Sequence, residues 1–145
     1  MIVAAPSASF GLPEVQVGLY AAAGGLPRIV RTVGLPIASE IALTGRRLTA
    51  EEALRYNLIN KISASDSAVI DDAIELANKV AQHNPDAVIV TRHGLREAWE
   101  TASVEQATLH TAERFSVPLF GSENMGIGLR AFATKTTPKW VPSKL

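Results

Sequence analysis

The chain has 145 residues, 47% of them hydrophobic and 19% charged, so it is long enough and apolar enough for one domain with a buried core. Its 14 basic residues balance 14 acidic ones, which leaves no basic face for nucleic acid, and no apolar run is long enough to predict a membrane span. The absence of cysteine excludes disulfides, thiolate metal sites and a cysteine nucleophile.

The first part of the chain predicts two short strands followed by two helices. In order, these elements are Met1–Ala5, Ser7–Phe10, Ala22–Val33 and Pro36–Thr44. The two helices are followed by Gly34 and Gly45, and glycine is the residue that most often ends a helix. The first strand begins at residue 2, and nothing before it in this chain can pair with it.

A capping box opens the next segment. The Thr49 hydroxyl can accept from the backbone N–H of Glu52, whose side chain can reach back, so a helix is predicted to about Tyr56. A strand over Leu58–Ile62 follows. Asp66 is then expected to cap a long helix that ends near residue 82.

The second part of the chain is predicted to be helical. Asn84-Pro85 breaks the chain before three helical stretches, and Ser103-Val-Glu-Gln106 resembles a second capping box. The three helices are Pro85–Trp99, Ser103–Phe115 and Glu123–Thr134. The last 11 residues form a tail with proline and lysine.

One segment, Phe10–Arg28 (FGLPEVQVGLYAAAGGLPR), combines a carboxylate after a Gly-Leu-Pro turn with a short apolar run and a Gly-Gly pair. This order and spacing resemble the crotonase superfamily of enoyl-CoA hydratases and isomerases. The resemblance continues through Ala42–Ile62 and ends near Ala131–Trp140. It covers nearly the whole chain, and it matches about the C-terminal half of such an enzyme.

The resemblance implies an α/β fold. Residues 1–82 would be a remnant of the ββα spiral of the ClpP/crotonase fold, and residues 83–145 a helical region that forms trimers, often paired into hexamers, in the family. The chain is therefore expected to be N-terminally truncated and inactive alone. Both oxyanion-hole donors and a second glutamate of the family would precede residue 1.

The resemblance also assigns roles near the Gly-Leu-Pro turn. Glu14 matches the family glutamate that transfers protons in hydratases and many isomerases, and Pro13 limits how its carboxylate is aimed. Ala22 stands where many members have a glycine whose backbone N–H holds the catalytic water. Ala22 keeps an N–H, although its Cβ restricts the backbone.

Two further residues match a Phe-x-x-Lys motif near the family C-terminus. Phe132 and Lys135 would help hold the adenine and phosphates of coenzyme A, often from a neighbouring subunit. From residue type alone, a packed phenylalanine and a solvated lysine explain the pair equally well. The three histidines show no metal-ligand spacing, and no metal or separate cofactor is expected, because coenzyme A is part of the substrate.

The chain ends in Ser143-Lys144-Leu145. A C-terminal Ser-Lys-Leu is an address read by the peroxisomal import receptor, which predicts a peroxisomal location.

The function expected from these features is hydration of a trans-2-enoyl-CoA, of the type found in fatty acid β-oxidation. Three alternatives stay open: a Δ3,Δ2-enoyl-CoA isomerase, a hydratase for a secondary-metabolite acyl-CoA, and a non-catalytic assembly partner of full-length homologues.

Overall fold

The computed structural model describes residues 1–145, which form two compact units, Met1–Leu76 and Ala77–Leu145. The strands are β1 (Val3–Ala4), β2 (Ser9–Gly11), β3 (Arg47–Thr49) and β4 (Lys61–Ile62). The helices are α1 (Gly25–Val33), α2 (Leu35–Thr44), α3 (Ala50–Arg55), α4 (Val69–Ala81), α5 (Pro85–Thr101), α6 (Val104–Phe120) and α7 (Glu123–Thr134). The boundary between the two units falls within α4. The sequence-based division into a spiral remnant, residues 1–82, and a helical region, residues 83–145, stays a prediction.

The first strand, β1, pairs in parallel with the last one, β4. Val3 lies opposite Lys61, and the Asn60 side chain accepts from the backbone N–H of Ile2 at 2.7 Å. Both strands are shorter than the sequence predicts. Two parallel strands must be joined by a long crossover, and here the connection between β1 and β4 includes α1, α2 and α3.

The sequence did not predict β3, which pairs with β2 in antiparallel register. Phe10 lies opposite Leu48, and Leu48 is almost fully buried. A Cβ at Gly11 would come within 3.0 Å of the Arg46 carbonyl oxygen, so glycine permits this close approach of the two backbones.

The core of unit 1 is small and built mainly from short side chains. Ala4, Ala53 and Ile59 form one buried cluster, and Phe10 packs against it. The other buried apolar residues of this unit are Ala38, Ile41, Leu48 and Ala50. The core of unit 1 is therefore formed by residues of β1, α2, β3 and α3 and by Ile59.

Local end signals place most helix boundaries where the sequence predicts them. Gly45 ends α2 in a left-handed conformation with φ 64°, and both hydrogen bonds of the Thr49–Glu52 capping box are present at the start of α3. The first of the predicted helices starts later than expected, at Gly25 instead of Ala22. Gly24, with φ 82°, holds a left-handed conformation before it.

The predicted cap of the long helix is wrong. Asp66 lies in a short 3₁₀ turn, Asp66–Ala68, ahead of α4, and its carboxylate accepts from both the backbone N–H and the hydroxyl of Ser7. These two bonds lower the pKa of Asp66, the hydroxyl bond being the larger cause. The side chain therefore ties the β1–β2 connection to the start of α4.

In unit 2, α6 continues past the predicted end at Phe115 to Phe120. Pro118 stands in its last turn, where the missing proline N–H removes one intrahelical hydrogen bond and does not end the helix. The Ser103 hydroxyl caps the helix by accepting from Gln106 N. Ala107 and Phe115 are buried, whereas Val104 is exposed.

No helix combines the length and apolar character that crossing a membrane requires.

Candidate functional site

Glu14 begins a turn of 3₁₀ helix, Glu14–Val17, that the sequence did not predict. Pro13 precedes it with φ −84°, and the Gln16 N–H closes the turn on the Pro13 carbonyl at 3.0 Å. The Leu19 N–H then donates to the Glu14 carbonyl at 2.9 Å. These bonds fix the backbone of Glu14 from both sides.

Gln16 attaches the turn to the end of α2. Its Nε2 donates to the carbonyl oxygens of Gly45 at 3.0 Å and Thr44 at 3.4 Å. A Cβ at Gly45 would lie 2.8 Å from Gln16 Cγ, so the contact depends on glycine at that position. No sequence pattern indicates this anchor, because the two groups are almost thirty residues apart and no motif joins them.

The Glu14 side chain lines a small apolar cavity of about 130 Å³ in unit 1. The other lining residues are Leu12, Val15, Tyr20, Ala21, Leu26, Ala42 and Leu43. One carboxylate oxygen, Glu14 Oε2, is buried there and has no hydrogen-bond partner. Buried polar atoms almost always have a partner, so this oxygen is available to a group that enters the cavity.

Ala22 does not present a free backbone N–H in this structure. The group donates to the Tyr20 carbonyl at 2.8 Å in a tight local turn. To hold a water molecule as the family resemblance implies, Ala22 would have to release this bond. Its role in substrate binding stays a prediction.

A second cavity of about 550 Å³ lies beside the β2–β3 pair and α1, and Leu12 lines both cavities. Two cations, Arg28 and Arg47, line this larger space. Arg28 Nη1 also donates to the Gly24 carbonyl at 3.0 Å, and its guanidinium occupies the space where a Cβ of Gly24 would lie. Unit 1 thus places apolar surface and positive charge near the Glu14 cavity.

Phe132 and Lys135 lie at the end of α7 in unit 2. The Phe132 ring is 87% exposed, and Lys135 ends the helix in a left-handed conformation with φ 54°. An exposed ring and a cation at one helix end are suited to stacking and to a phosphate contact. Their role in coenzyme A binding stays a prediction.

The histidines form contacts within the α5–α6 pair. His93 packs edge-on against Phe115 with ring centroids 4.8 Å apart, and His110 Nδ1 lies 3.1 Å from a Glu97 oxygen. No group of three or more histidine and acidic side chains could hold a metal ion.

The C-terminal residues Ser143, Lys144 and Leu145 follow a segment that contacts α7 and Gln82 in unit 2. The Leu145 N–H donates to the Ser143 hydroxyl at 3.1 Å, and Lys144 Nζ lies 4.0 Å from Glu123.

The two-strand pairs and the crossover helices, with Glu14 in a turn ahead of the Gly24–Gly25 helix start, match a partial crotonase fold. A family model described as enoyl-CoA hydratase/isomerase matches residues 1–143. The chain belongs to the enoyl-CoA hydratase/isomerase family.

Curated relatives match the whole chain. The mevalonyl-coenzyme A hydratase of Aspergillus fumigatus is 43% identical over 145 residues, which are 100% of this chain and 53% of that protein. The 2,3-dehydroadipyl-CoA hydratase of Escherichia coli is 36% identical over 95% of this chain and 53% of that protein. The chain therefore spans about half the length of these relatives.

Solved structures agree with this assignment. An enoyl-CoA hydratase from Mycobacterium tuberculosis superposes with a TM-score of 0.90 and 36% identity, over 99% of this chain and 56% of that one. A probable enoyl-CoA hydratase/isomerase from Mycobacterium abscessus gives 0.87 and 40% identity, over 97% and 54% of the two chains.

Proposed function

We propose that this chain is the part of an acyl-CoA hydratase that carries its proton-transferring carboxylate, Glu14. The observation that carries the proposal is the buried Glu14 Oε2, which has no partner and lines an apolar cavity. In the reaction, the oxygen of water bonds to C3 of a trans-2-enoyl-CoA and a proton is added at C2. The thioester oxygen carries negative charge in between, so donors to that oxygen are also needed.

The 145 residues alone are expected to be a poor catalyst. In the family resemblance, both oxyanion donors and a second glutamate precede the segment that this chain matches. Removal of one oxyanion donor typically raises the barrier by about 2.7–4 kcal/mol. The reaction uses no cofactor apart from the coenzyme A of the substrate itself.

A narrower substrate follows from the relatives. Two proteins described as mevalonyl-coenzyme A hydratases, from Aspergillus fumigatus and Beauveria bassiana, are each 43% identical over the whole of this chain. This supports a hydratase for a short, branched and hydroxylated acyl-CoA. Isomerisation of a 3-enoyl-CoA is the second candidate, because one carboxylate can move a proton between C2 and C4.

The test is an activity measurement on a hybrid enzyme, in which the amino-terminal half of the Aspergillus mevalonyl-coenzyme A hydratase precedes these 145 residues. Matched preparations receive crotonyl-CoA, a branched 5-hydroxylated 2-enoyl-CoA and a trans-3-enoyl-CoA. We expect hydration of 2-enoyl substrates, with the branched one preferred. Conversion of the 3-enoyl substrate alone would replace the hydratase proposal by isomerisation.

Self-association of the helical region is a further part of the proposal. Several large apolar side chains of unit 2 are exposed, namely Leu95, Val104, Val117, Phe120, Leu129 and Phe132. Contiguous exposed apolar patches often mark interaction surfaces, and closed symmetry is the common outcome of self-association. A trimer or hexamer, or a mixed assembly with full-length homologues, would cover them.

Light scattering on the purified chain at micromolar concentration tests the assembly. We expect the mass of at least three copies of the chain. The double variant Val104→Glu, Phe132→Glu should have a lower mass, because each change replaces an exposed apolar side chain by a charged one. Glu105→Gln is the control on the same helix as Val104. A monomer for the unaltered chain would contradict the assembly role of residues 83–145.

We also propose a peroxisomal location, supported by the Ser143-Lys144-Leu145 ending. A fluorescent protein that ends in the last dozen residues of this chain should collect in peroxisomes. Deletion of Leu145 should release it to the cytosol, because the receptor reads the free end of the chain. Diffuse fluorescence with the intact ending would reject this location.

A further inference from the structure

Near the end of the chain, the main chain of Val141 is hydrogen-bonded to the side chain of Asn124 in α7. Asn124, which is 1% exposed, donates from Nδ2 to the Val141 carbonyl at 2.9 Å and accepts the Val141 N–H on Oδ1 at 3.0 Å. The carboxamide thus satisfies both main-chain groups of Val141, as a neighbouring strand would. Such a two-point contact recognises an extended peptide without regard to its side chains.

A buried carboxylate orients this carboxamide. Asp86, which is 2% exposed, lies in the first turn of α5, and its Oδ2 accepts from the same Asn124 Nδ2 at 3.0 Å. Burial by itself would raise the pKa of Asp86. The nearby polar groups of Ser143, Asn124 and Ser122 outweigh that effect, so its pKa lies below the usual range. Asp86 therefore stays charged at neutral pH and keeps the Asn124 amide turned toward the tail.

The segment before Val141 is also fixed. Trp140 Nε1 donates to the Gln82 carbonyl at 2.8 Å, and a Cβ at Gly128 would come within 3.2 Å of the Trp140 ring. After Val141, the Leu145 N–H turns back onto Ser143. Ser143 and the Lys144 backbone lie close enough to Asp86 to lower its pKa, whereas the Lys144 side chain is 87% exposed and Leu145 is 36% exposed.

We propose that Asp86 and Asn124 form a binding site for an extended peptide main chain, occupied by the chain's own tail, and that this docking competes with receptor recognition of Ser143–Leu145. The second half of this inference rests on the peroxisomal address proposed above. A receptor that captures a chain end binds only the released tail, so its apparent affinity falls by the fraction of time that the tail is free.

Binding to the peptide-binding domain of the peroxisomal import receptor tests the competition. The probes are the purified 145-residue chain and a synthetic peptide of residues 134–145. We expect the folded chain to bind at least about tenfold more weakly than the peptide. Asn124→Ala should recover most of the difference, whereas Asn78→Ala, which alters an exposed asparagine of the same unit, should not.

Val141→Pro gives the same test without removing a buried side chain, because proline lacks the N–H that donates to Asn124 Oδ1. The matching peptide carries the same change. Equal affinities for the folded chain and the peptide would overturn the competition. If Asn124→Ala unfolds the chain, Val141→Pro decides by itself.

A second readout separates docking from the address. Carboxypeptidase should remove Leu145 from the folded chain at least about tenfold more slowly than from the peptide, and Val141→Pro should abolish that protection. Equal rates would overturn the docking itself. If the peptide fails to bind the receptor while Leu145 of the folded chain is still protected from carboxypeptidase, the peroxisomal address and the competition that depends on it are rejected. The peptide-binding site remains supported in that case.

Discussion

Replacement of Glu14 by glutamine in the hybrid enzyme is expected to lower turnover by about 10²–10⁴-fold, the usual contribution of a positioned acid or base. Glutamine has nearly the shape of glutamate and cannot exchange the proton. The substrate should still bind, because the cavity walls around Glu14 are apolar and unchanged. The measurement is the steady-state hydration rate together with the dissociation constant for the acyl-CoA.

The matched control is Glu105→Gln, an exposed acidic residue in the first turn of α6. It makes the same chemical change far along the chain from the turn at Glu14. Turnover of the Glu14 variant within about twofold of the parent enzyme would remove this residue from proton transfer.

Replacement of Ile41 by alanine is expected to have the largest effect on stability, a loss of about 2–5 kcal/mol in the free energy of unfolding. Ile41 is fully buried in α2, and shortening it leaves a cavity that the surrounding helices and strands cannot fill. Ile41→Val removes one methylene and should lower the free energy of unfolding by about 0.5–1.5 kcal/mol. Denaturant titration followed by circular dichroism measures both.

Leu43→Ala on the same helix serves as the comparison. Leu43 is 75% exposed, so the change should stay within about 0.5 kcal/mol of the parent. If the Ile41 and Leu43 variants lose similar amounts of unfolding free energy, α2 does not bury the face that carries Ile41.

Signals close together in the sequence predicted the helices well. The glycines after α1 and α2 and the Thr49–Glu52 box act within one turn, and the helices begin or end beside them. The predicted end of α6 at Phe115 is five residues too early. A proline in the last turn removes only one hydrogen bond, so α6 runs on to Phe120.

Pairing between distant segments was predictable only in part. The Arg47–Thr49 strand has a single apolar residue, Leu48, and its register comes from contact with Phe10 almost forty residues earlier. A period-two pattern needs more residues than this strand has. The parallel β1–β4 pair likewise depends on packing across the whole of unit 1.

The candidate site shows the same division. The order of residues around Glu14 predicts a role for this carboxylate, because the motif is contiguous, and that role stays a prediction. The Gln16 anchor on Gly45 and the Asp86–Asn124 pair join groups that are far apart in sequence, so no local pattern indicates them. The Ala22 N–H is engaged by Tyr20, a detail of backbone geometry that residue types do not determine.

The central claim is that Glu14 moves the proton that reaches C2 of the substrate. Hydration of an enoyl-CoA by the hybrid enzyme in D₂O, followed by mass spectrometry and NMR of the product, tests it directly. We predict that product with deuterium at C2 accumulates with the enzyme, and that it accumulates about 10²–10⁴-fold more slowly with Glu14→Gln. Undiminished deuteration at C2 by the Glu14→Gln variant would contradict the account.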